Sequence, residues 1–355
     1  MNCNSGNEIP RRPMRRTGVE IPQVVFGISA FGNLYQDMQD EVCFDIVKQM
    51  LQHNLGSIAL DCAGKYGAGL ALERLGRILA ELQVPKHRVL ISNKLGWRRI
   101  PLQSKEPTFE PGVWVNIKDD AVQDISYDGI LRCWEEGSRL LGNYQTHLVS
   151  VHDPDEYLAA ATSDADRHQR WSDILEAYKA LAELRDQGVV KAIGVGSKDW
   201  LVPKKLVEKN VDLDWVMLAT SFTVYRHDAE LIRFIDWLHE REILVINSAI
   251  FHGGFLVGSE YFDYRKVNAN CASDIELLNW RNRFQSICSR HNVEPAAACA
   301  NFAISHPNIA ALALNTSRAE RVASNLRLGN AAICDEFWLE MKGQGLISRS
   351  YPHLG

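Results

Sequence analysis

Short, nearly continuous apolar runs alternate along this chain with longer stretches of helical period. The runs are 23–28 (QVVFGI), 57–61 (SIALD), 88–93 (RVLISN), 146–151 (THLVSV), 190–195 (VKAIGV), 214–219 (DWVMLA), 243–248 (ILVINS) and 309–314 (IAALAL). Runs of this length without polar alternation predict strands buried on both faces, as in a parallel sheet covered by helices. Between them, 40–54, 69–83, 128–141, 171–187, 199–209, 228–241, 274–304 and 318–328 carry apolar residues at i, i+3 and i+4, and predict helices. The stretch 274–304 is long enough for two. Eight strand-then-helix units predict an α/β fold of the (β/α)8 barrel type. An open doubly wound sheet wants a Gly-rich phosphate loop after its first strand. Gly27 to Gly32 (GISAFG) does not spell GxGxxG, which favours the barrel.

Three segments depart from the alternation. Arg15 to Ile21 predicts a short hairpin turning at Gly18, placed to plug the amino-terminal face of the barrel. Residues 97–126 hold Trp97, Pro101, Pro107, Pro111, Gly112 and Trp114 with little periodicity. Residues 251–273 hold Gly253, Gly254 and Gly258 among Phe255, Tyr261, Phe262 and Tyr264. Both long loops follow strands and so belong to the carboxyl-terminal face, where barrel sites are built. No linker or repeat divides the chain. Residues 1–14 are expected as a tail and 15–355 as one domain.

Composition narrows the function classes. With 46% apolar and 23% charged residues the chain is an ordinary globular protein with a large core. A formal net charge of −5 disfavours nucleic acid and anionic membrane surfaces as partners. The one basic cluster, Arg11, Arg12, Arg15 and Arg16, reads as a solvated tail. Eight cysteines lie scattered without CxxC spacing. Cys43, Cys133, Cys288 and Cys299 fall in helical patterns, as small hydrophobes do. A reducing compartment follows. No apolar stretch approaches the ~18–20 residues needed to span a bilayer, and no signal peptide opens the chain, so a cytoplasmic location is expected.

The candidate chemistry clusters at strand ends. Asp61 ends the second run and Tyr66 follows it in a loop; Lys94 comes just past the third run, and His152 just past the fourth. A phenol is a poor acid or base near neutrality unless a cation lowers its pKa from about 10. A lysine supplies that cation and a carboxylate fixes the lysine. Each residue alone has an ordinary structural explanation. Neighbouring barrel strands, however, bring their ends to one pocket.

At this point the chain resembles the aldo-keto reductases over nearly its whole length. Asp61 to Gly67 matches an Asp-x-Ala-x-x-Tyr-Gly motif, with Cys62 where threonine is common. Lys94 lies in Ser-Asn-Lys-Leu-Gly and His152 in Val-His-Asp. Ala192 to Ser197 (AIGVGS) resembles the fifth-strand motif, and Asn315 to Asn325 (NTSRAERVASN) the final-helix motif that holds the adenosine phosphate. The resemblance implies Tyr66 as proton-transfer residue, Lys94 lowering its pKa, Asp61 holding Lys94, and His152 orienting the substrate oxygen. It further implies a nicotinamide cofactor held by Ser29, Ser197, Ser248, Phe251, Gly253, Thr316, Ser317, Arg318, Arg321 and Asn325.

Within the family the chain is most similar to the aldose 1-dehydrogenase and pyridoxal 4-dehydrogenase branch. This rests on Phe26 to Tyr35 (FGISAFGNLY), the GVGS form with Trp200 after it, and Ser126 to Ile130 (SYDGI). The family's fifth-strand Ser-Asn pair is Gly196-Ser197 here, its sixth-strand Gln falls near Ala219, and its stacking Tyr falls near Asn247, leaving Phe251 or another loop residue to stack. NADP is expected before NAD because Arg318 and Arg321 suit a 2′-phosphate, although a lysine common there is Asn315. The substrate is expected to be a free aldose or an aldehyde, with Asn33, Tyr35, Trp97 and Trp114 as its walls. A general aldehyde reductase and a non-catalytic nucleotide-binding regulator stay open. A metal-dependent hydrolase built on His152-Asp153 lacks the HxH and second histidine it needs, so no metal is expected.

Overall fold

The computed structural model describes residues 9–14, 16–263 and 265–355. The expectations for residues 1–8, including Cys3, and for Arg15 and Tyr264 lie outside the described residues. Eight parallel strands close into a barrel: Val24–Gly27, Ile58–Ala63, Val89–Leu95, Leu148–His152, Ala192–Ser197, Trp215–Ala219, Leu244–Ser248 and Ile309–Asn315. Each pairs with the next, and the eighth pairs with the first. All eight correspond to the apolar runs, and the residues of the second and third strands are buried without exception.

The helices form where apolar side chains recur on one face. Asp40–Gln52 buries Cys43, Ile46, Val47 and Met50, spaced as one helical stripe, and carries Asp40 and Glu41 in its first turn, where the helix dipole favours anions. Tyr127–Leu141 begins at Ser126, whose hydroxyl accepts from the Gly129 amide at 2.9 Å. The helix expected at 171–187 starts earlier, spanning Asp164–Asp186. Its opening turns face solvent and carry no apolar stripe, while Ser163 caps them by accepting from the Asp166 amide at 3.1 Å. The stretch 274–304 is two helices, Ala272–Arg290 and Pro295–Ala303. The carboxyl-terminal helix Asp335–Gly343, which the periodicity did not single out, buries Phe337 and Trp338. The seven cysteines among the described residues are all free, and the four in helices are buried.

The hairpin is longer than expected. Arg11–Met14 pairs antiparallel with Val19–Pro22, so four residues assigned to the tail form its first strand. Arg11 donates to Ser57 Oγ at 3.0 Å, which gives one arginine of the basic cluster a structural role. Met14, Val19 and Ile21 pack inside the barrel with Val25, Ala59, Leu90, Trp215 and Met217, closing its amino-terminal end as predicted. The interior is filled around Trp215, which is fully buried. A Cβ at Gly194 would lie 2.3 Å from the indole carbons, so the glycine makes room for the ring.

The segment 97–126 is more ordered than its composition suggests. Trp97–Pro101 and Asp119–Gln123 form an antiparallel ribbon. Its strands are half-buried and rich in charge, and one ends in proline, so no apolar alternation marks them. The 251–273 loop is pinned by His252, which bonds Thr223 Oγ1 and Asp263 Oδ1, both at 2.8 Å. No helix among the described residues is long and apolar enough to cross a membrane.

Ile21 is fully buried in the plug. Ile21→Ala should lower unfolding free energy by about 2–5 kcal/mol, measured by urea denaturation. Activity of the folded protein should be unchanged, because the plug lies at the end opposite the long loops.

Candidate active site

Strand register decides which side chains meet at the barrel mouth. Ala59, Leu90, Leu148 and Ala192 point into the barrel, so by the two-residue period of a strand Asp61, Lys94, His152 and Gly196 point inward as well. Lys94 sits opposite Ala63, and His152 opposite Gly196. The four residues expected together are therefore brought together. The Lys94 ammonium is ion-paired to Asp61 Oδ2, both being buried, and reaches the Cys62 carbonyl at 3.4 Å. It lies 4.8 Å from the Tyr66 ring centroid. His152 meets Tyr66 edge-on, with centroids 5.6 Å apart.

Two glycines set these positions. A Cβ at Gly196 would press on Lys94 Cδ at 3.2 Å, so the second glycine of AIGVGS clears the lysine's path as Gly194 clears the indole's. Gly67, at φ +62°, brings the Tyr66 loop so close to Gly32 that a Cβ would meet the Gly32 carbonyl oxygen at 2.4 Å. Tyr66 is thereby held against the loop after the first strand.

Burial governs the electrostatics. It pushes the Tyr66 phenol up; Lys94 pulls it down but does not offset that effect. The expectation of a lowered phenol is thus right in the sign of the lysine's contribution and wrong in the net direction, because desolvation is larger. Burial disfavours the Lys94 ammonium too, but Asp61 more than compensates and the pKa is raised. His152 is held well below its ordinary 6.5 by burial, then by Lys94, Lys65 and Lys198, so it is a neutral imidazole. Its Nδ1 and Asp61 Oδ1 have no hydrogen-bond partner among the described residues. The mouth thus presents a protonated phenol beside a fixed cation and a neutral imidazole, a set able to pass one proton to or from an oxygen.

Around this centre the other expected residues divide. Trp114 is buried against Tyr66 at 5.9 Å between centroids, with Phe109 stacked behind it. Trp97 packs on Phe109 at 5.7 Å. Tyr35 is exposed, and its amide donates to the Val113 carbonyl at 2.8 Å. Asn33 is not a free wall residue. Its Oδ1 accepts from the Met38 amide and Arg74, and its Nδ2 faces Asp37 Oδ1 at 3.2 Å and the Asn116 carbonyl. Both ends of the amide expected to face substrate are engaged in shaping the loop.

Of the cofactor residues, Ser29 Oγ accepts from Asn315 Nδ2 at 2.7 Å, joining the loops after the first and eighth strands. Ser248 donates to the Leu218 carbonyl at 3.1 Å. Ser197 lies one residue past the inward-facing Gly196, and its hydroxyl donates to the Asp199 carbonyl at 2.8 Å. The hydroxyl expected to hold cofactor is thus engaged within its own loop. Asn247 likewise turns away, donating to the Phe222 and Ala303 carbonyls. Phe251 is half-buried between two core clusters, and Gly253 adopts φ +69°. Thr316 Oγ1 caps the Arg318 amide at 3.1 Å; Ser317 and Asn325 are half-buried. Arg318 and Arg321 are exposed and make no ion pair among the described residues. Two guanidiniums free of ion pairs among the described residues, close in sequence to the Thr316 and Ser317 hydroxyls, suit a phosphate-bearing dinucleotide.

Sequence reasoning missed Lys65. It is buried, and it pairs with Glu110 at 2.6 Å, Glu156 at 3.0 Å and Asp153 at 3.7 Å. Lys198 shares Asp153 and Glu156. The available signal was a charged residue directly before Tyr66, in a stretch otherwise built of small residues. Among the described residues no three His, Cys, Asp or Glu side chains converge to hold a metal ion.

Comparison with known proteins agrees with this geometry. The profile of the Aldo/keto reductase family matches residues 23–343. A pyridoxal 4-dehydrogenase from Microbacterium luteolum is 26% identical over 353 residues, covering 95% of this chain and 98% of its own. A D-threo-aldose 1-dehydrogenase from a Pseudomonas species is 26% identical over 335 residues, covering 93% and 96%. Among solved structures, an aldo-keto reductase from Bacillus halodurans superposes with a TM-score of 0.69 at 17% identity, covering 97% of this chain and 98% of that one. A glycerol dehydrogenase from Gluconobacter oxydans gives 0.69 at 16% identity, covering 98% and 97%. These two share the fold.

The depressed His152 fixes a sign for pH. Below about 6.5 the unfolded chain takes up a proton that the folded chain refuses, so this group removes stability progressively as pH falls. His152→Gln should flatten the stability–pH slope between about pH 6.5 and 5. The NMR signal lost in that variant should be one that does not titrate near 6.5. A midpoint near the ordinary value would contradict a buried neutral ring.

Proposed function

The chain belongs to the aldo/keto reductase family and is an NAD(P)-dependent oxidoreductase, and we propose that it oxidises a free aldose of the L-fucose or L-galactose kind at C1, giving the lactone. The observation that carries this reading is the buried Asp61–Lys94 pair beside the Tyr66 ring, with neutral His152 at its edge. The name of the D-threo-aldose relative and the motifs around Phe26, Gly196 and Ser126 supply the substrate class.

The roles of the residues follow from their chemistry. Bound nicotinamide dinucleotide supplies the hydride chemistry. Ser29, Ser248, Phe251, Gly253, Thr316, Ser317, Arg318, Arg321 and Asn325 are the residues we assign to holding it. Tyr66 moves the proton of the substrate oxygen, Lys94 stabilises its phenolate, Asp61 fixes Lys94, and His152 hydrogen-bonds the same oxygen. A phenol with a raised pKa is protonated at neutral pH, and the pull of Lys94 on its phenolate is what lets it give that proton to a carbonyl oxygen. Taking a proton in the oxidation direction depends on the pull of Lys94 and gains as pH rises. Trp114 and Trp97 offer aromatic faces for the C–H surface of a pyranose.

A second reading, reduction of simpler or aromatic aldehydes, is favoured by the apolar lining. Phe109, Trp114 and Ile117 cluster with Tyr66, and the amide of Asn33 is committed elsewhere. A spectrophotometric screen of aldoses and aldehydes with both cofactors separates the two. Reduction of simple aldehydes with no aldose oxidised would replace the first reading by the second.

Tyr66→Phe should reduce turnover by at least ~10²–10⁴-fold and leave cofactor affinity, measured by fluorescence titration, unchanged. Near-normal turnover would remove the mechanism.

We assign the 2′-phosphate of NADP to Arg318 and Arg321, with NAD usable. Replacing either by Ala should weaken NADP binding by roughly 10- to 150-fold and NAD binding far less. Equal losses would place the arginines on groups common to both cofactors.

A further inference from the structure

The residues that follow His152 and precede Tyr66 in the chain form a second charged cluster, and it reaches the ribbon. Lys65 Nζ lies among three carboxylates. Asp153 follows the fourth strand, Glu156 stands on the short helix Pro154–Ala159, and Glu110 stands in the ribbon's connecting loop. Its ammonium also sits over the Trp97 ring, 5.1 Å from the centroid, at the ribbon's base. Glu110 is forked. One oxygen takes Lys65, and the other accepts from Trp114 Nε1 at 2.8 Å. Trp114 packs against Tyr66, which follows Lys65 directly, so the chain of contacts closes on itself.

Two features show that this cluster is built rather than incidental. The Lys65 side chain is only 4% exposed, so its charge is tolerated only because carboxylates surround it. Glu110 and Asp153 both adopt left-handed backbone, at φ +47° each. Residues other than glycine persist there only where surrounding contacts impose it. Of the three carboxylates, Asp153 is fixed by the hydrogen bond that its backbone amide donates to the Gly196 carbonyl at 3.0 Å, and Glu156 is fixed in a helix. Glu110 alone stands on an element outside the barrel.

We propose that Lys65 is a positioning residue: by holding Glu110 of the ribbon against Asp153 and Glu156 of the barrel, it seats Trp114 on Tyr66 and so fixes the wall that meets the substrate. The proposal rests on Tyr66 as the reacting group. Without the Lys65 ammonium, Asp153 and Glu156 keep Lys198, and repulsion expels Glu110 on the ribbon. Lys65 touches no reacting atom; it acts through Glu110 and Trp114.

Hydrogen–deuterium exchange of the full chain tests this without a ligand. Amides of residues 107–118 should exchange at least about tenfold faster in Lys65→Met and in Glu110→Gln than in the wild type. The Lys65→Met, Glu110→Gln double variant should be no faster than Lys65→Met alone, because both act through one contact. With L-fucose or pyridoxal, whichever the wild type turns over, KM should rise about tenfold while kcat changes less and cofactor affinity stays. Wild-type exchange in Glu110→Gln, or losses that add in the double variant, would overturn the assignment. Glu110 is part-exposed, so Glu110→Gln keeps the test open if Lys65→Met does not fold. Tyr66→Phe should leave the ribbon protected, so an error in the catalytic assignment appears in turnover and not in exchange.

Discussion

The in-register pairing of parallel strands is the constraint on which the rest of this molecule depends. Closure of the eighth strand onto the first fixes which alternate residues face the interior. Once Ala59, Leu90, Leu148 and Ala192 are inside, Asp61, Lys94, His152 and Gly196 must meet at the mouth. A slip of one residue would turn each of them towards the helices. The same rule explains the two inward glycines of the fifth strand. One is opposite a tryptophan too wide for any side chain, the other beside the methylenes of Lys94.

Charge at the mouth is costly, and the site is organised by how that cost is met. An isolated buried ammonium shifts its pKa and neutralises. Lys94 keeps its proton because Asp61 stands against it, and Lys65 because three carboxylates do. Asp153 shows the limit of such compensation: burial raises its pKa to about 6 despite Lys198 and Lys65. The two networks differ in reach. The first is inside the barrel. The second spans barrel and ribbon and includes left-handed backbone at Glu110 and Asp153, which costs about 1–3 kcal/mol per residue.

Much of this was legible in the order of residues. The eight strands declared themselves because burial on both faces demands continuous apolar runs. Asp61, Tyr66, Lys94 and His152 could be grouped because barrel topology sends strand ends to one place. The ribbon was not legible, since its strands Trp97–Pro101 and Asp119–Gln123 pair across an intervening loop and bury too little to show a period. Nor was the opening of Asp164–Asp186, whose first turns face water and need only a capping serine.

The sequence by itself determined the barrel, the meeting of Asp61, Tyr66, Lys94 and His152 at its mouth, and the family, because these rest on periodicity and on spacing within single strand-to-loop units. Only the tertiary structure decided the rest. It turned the side chains of Ser197 and Asn247 aside, committed Asn33 to Arg74 and Met38, and gathered Lys65 with Glu110, Asp153 and Glu156. It also decided the net sign of the Tyr66 shift. Desolvation and ion pairing are sums over neighbours distant in sequence, and no local pattern encodes them until the chain has closed.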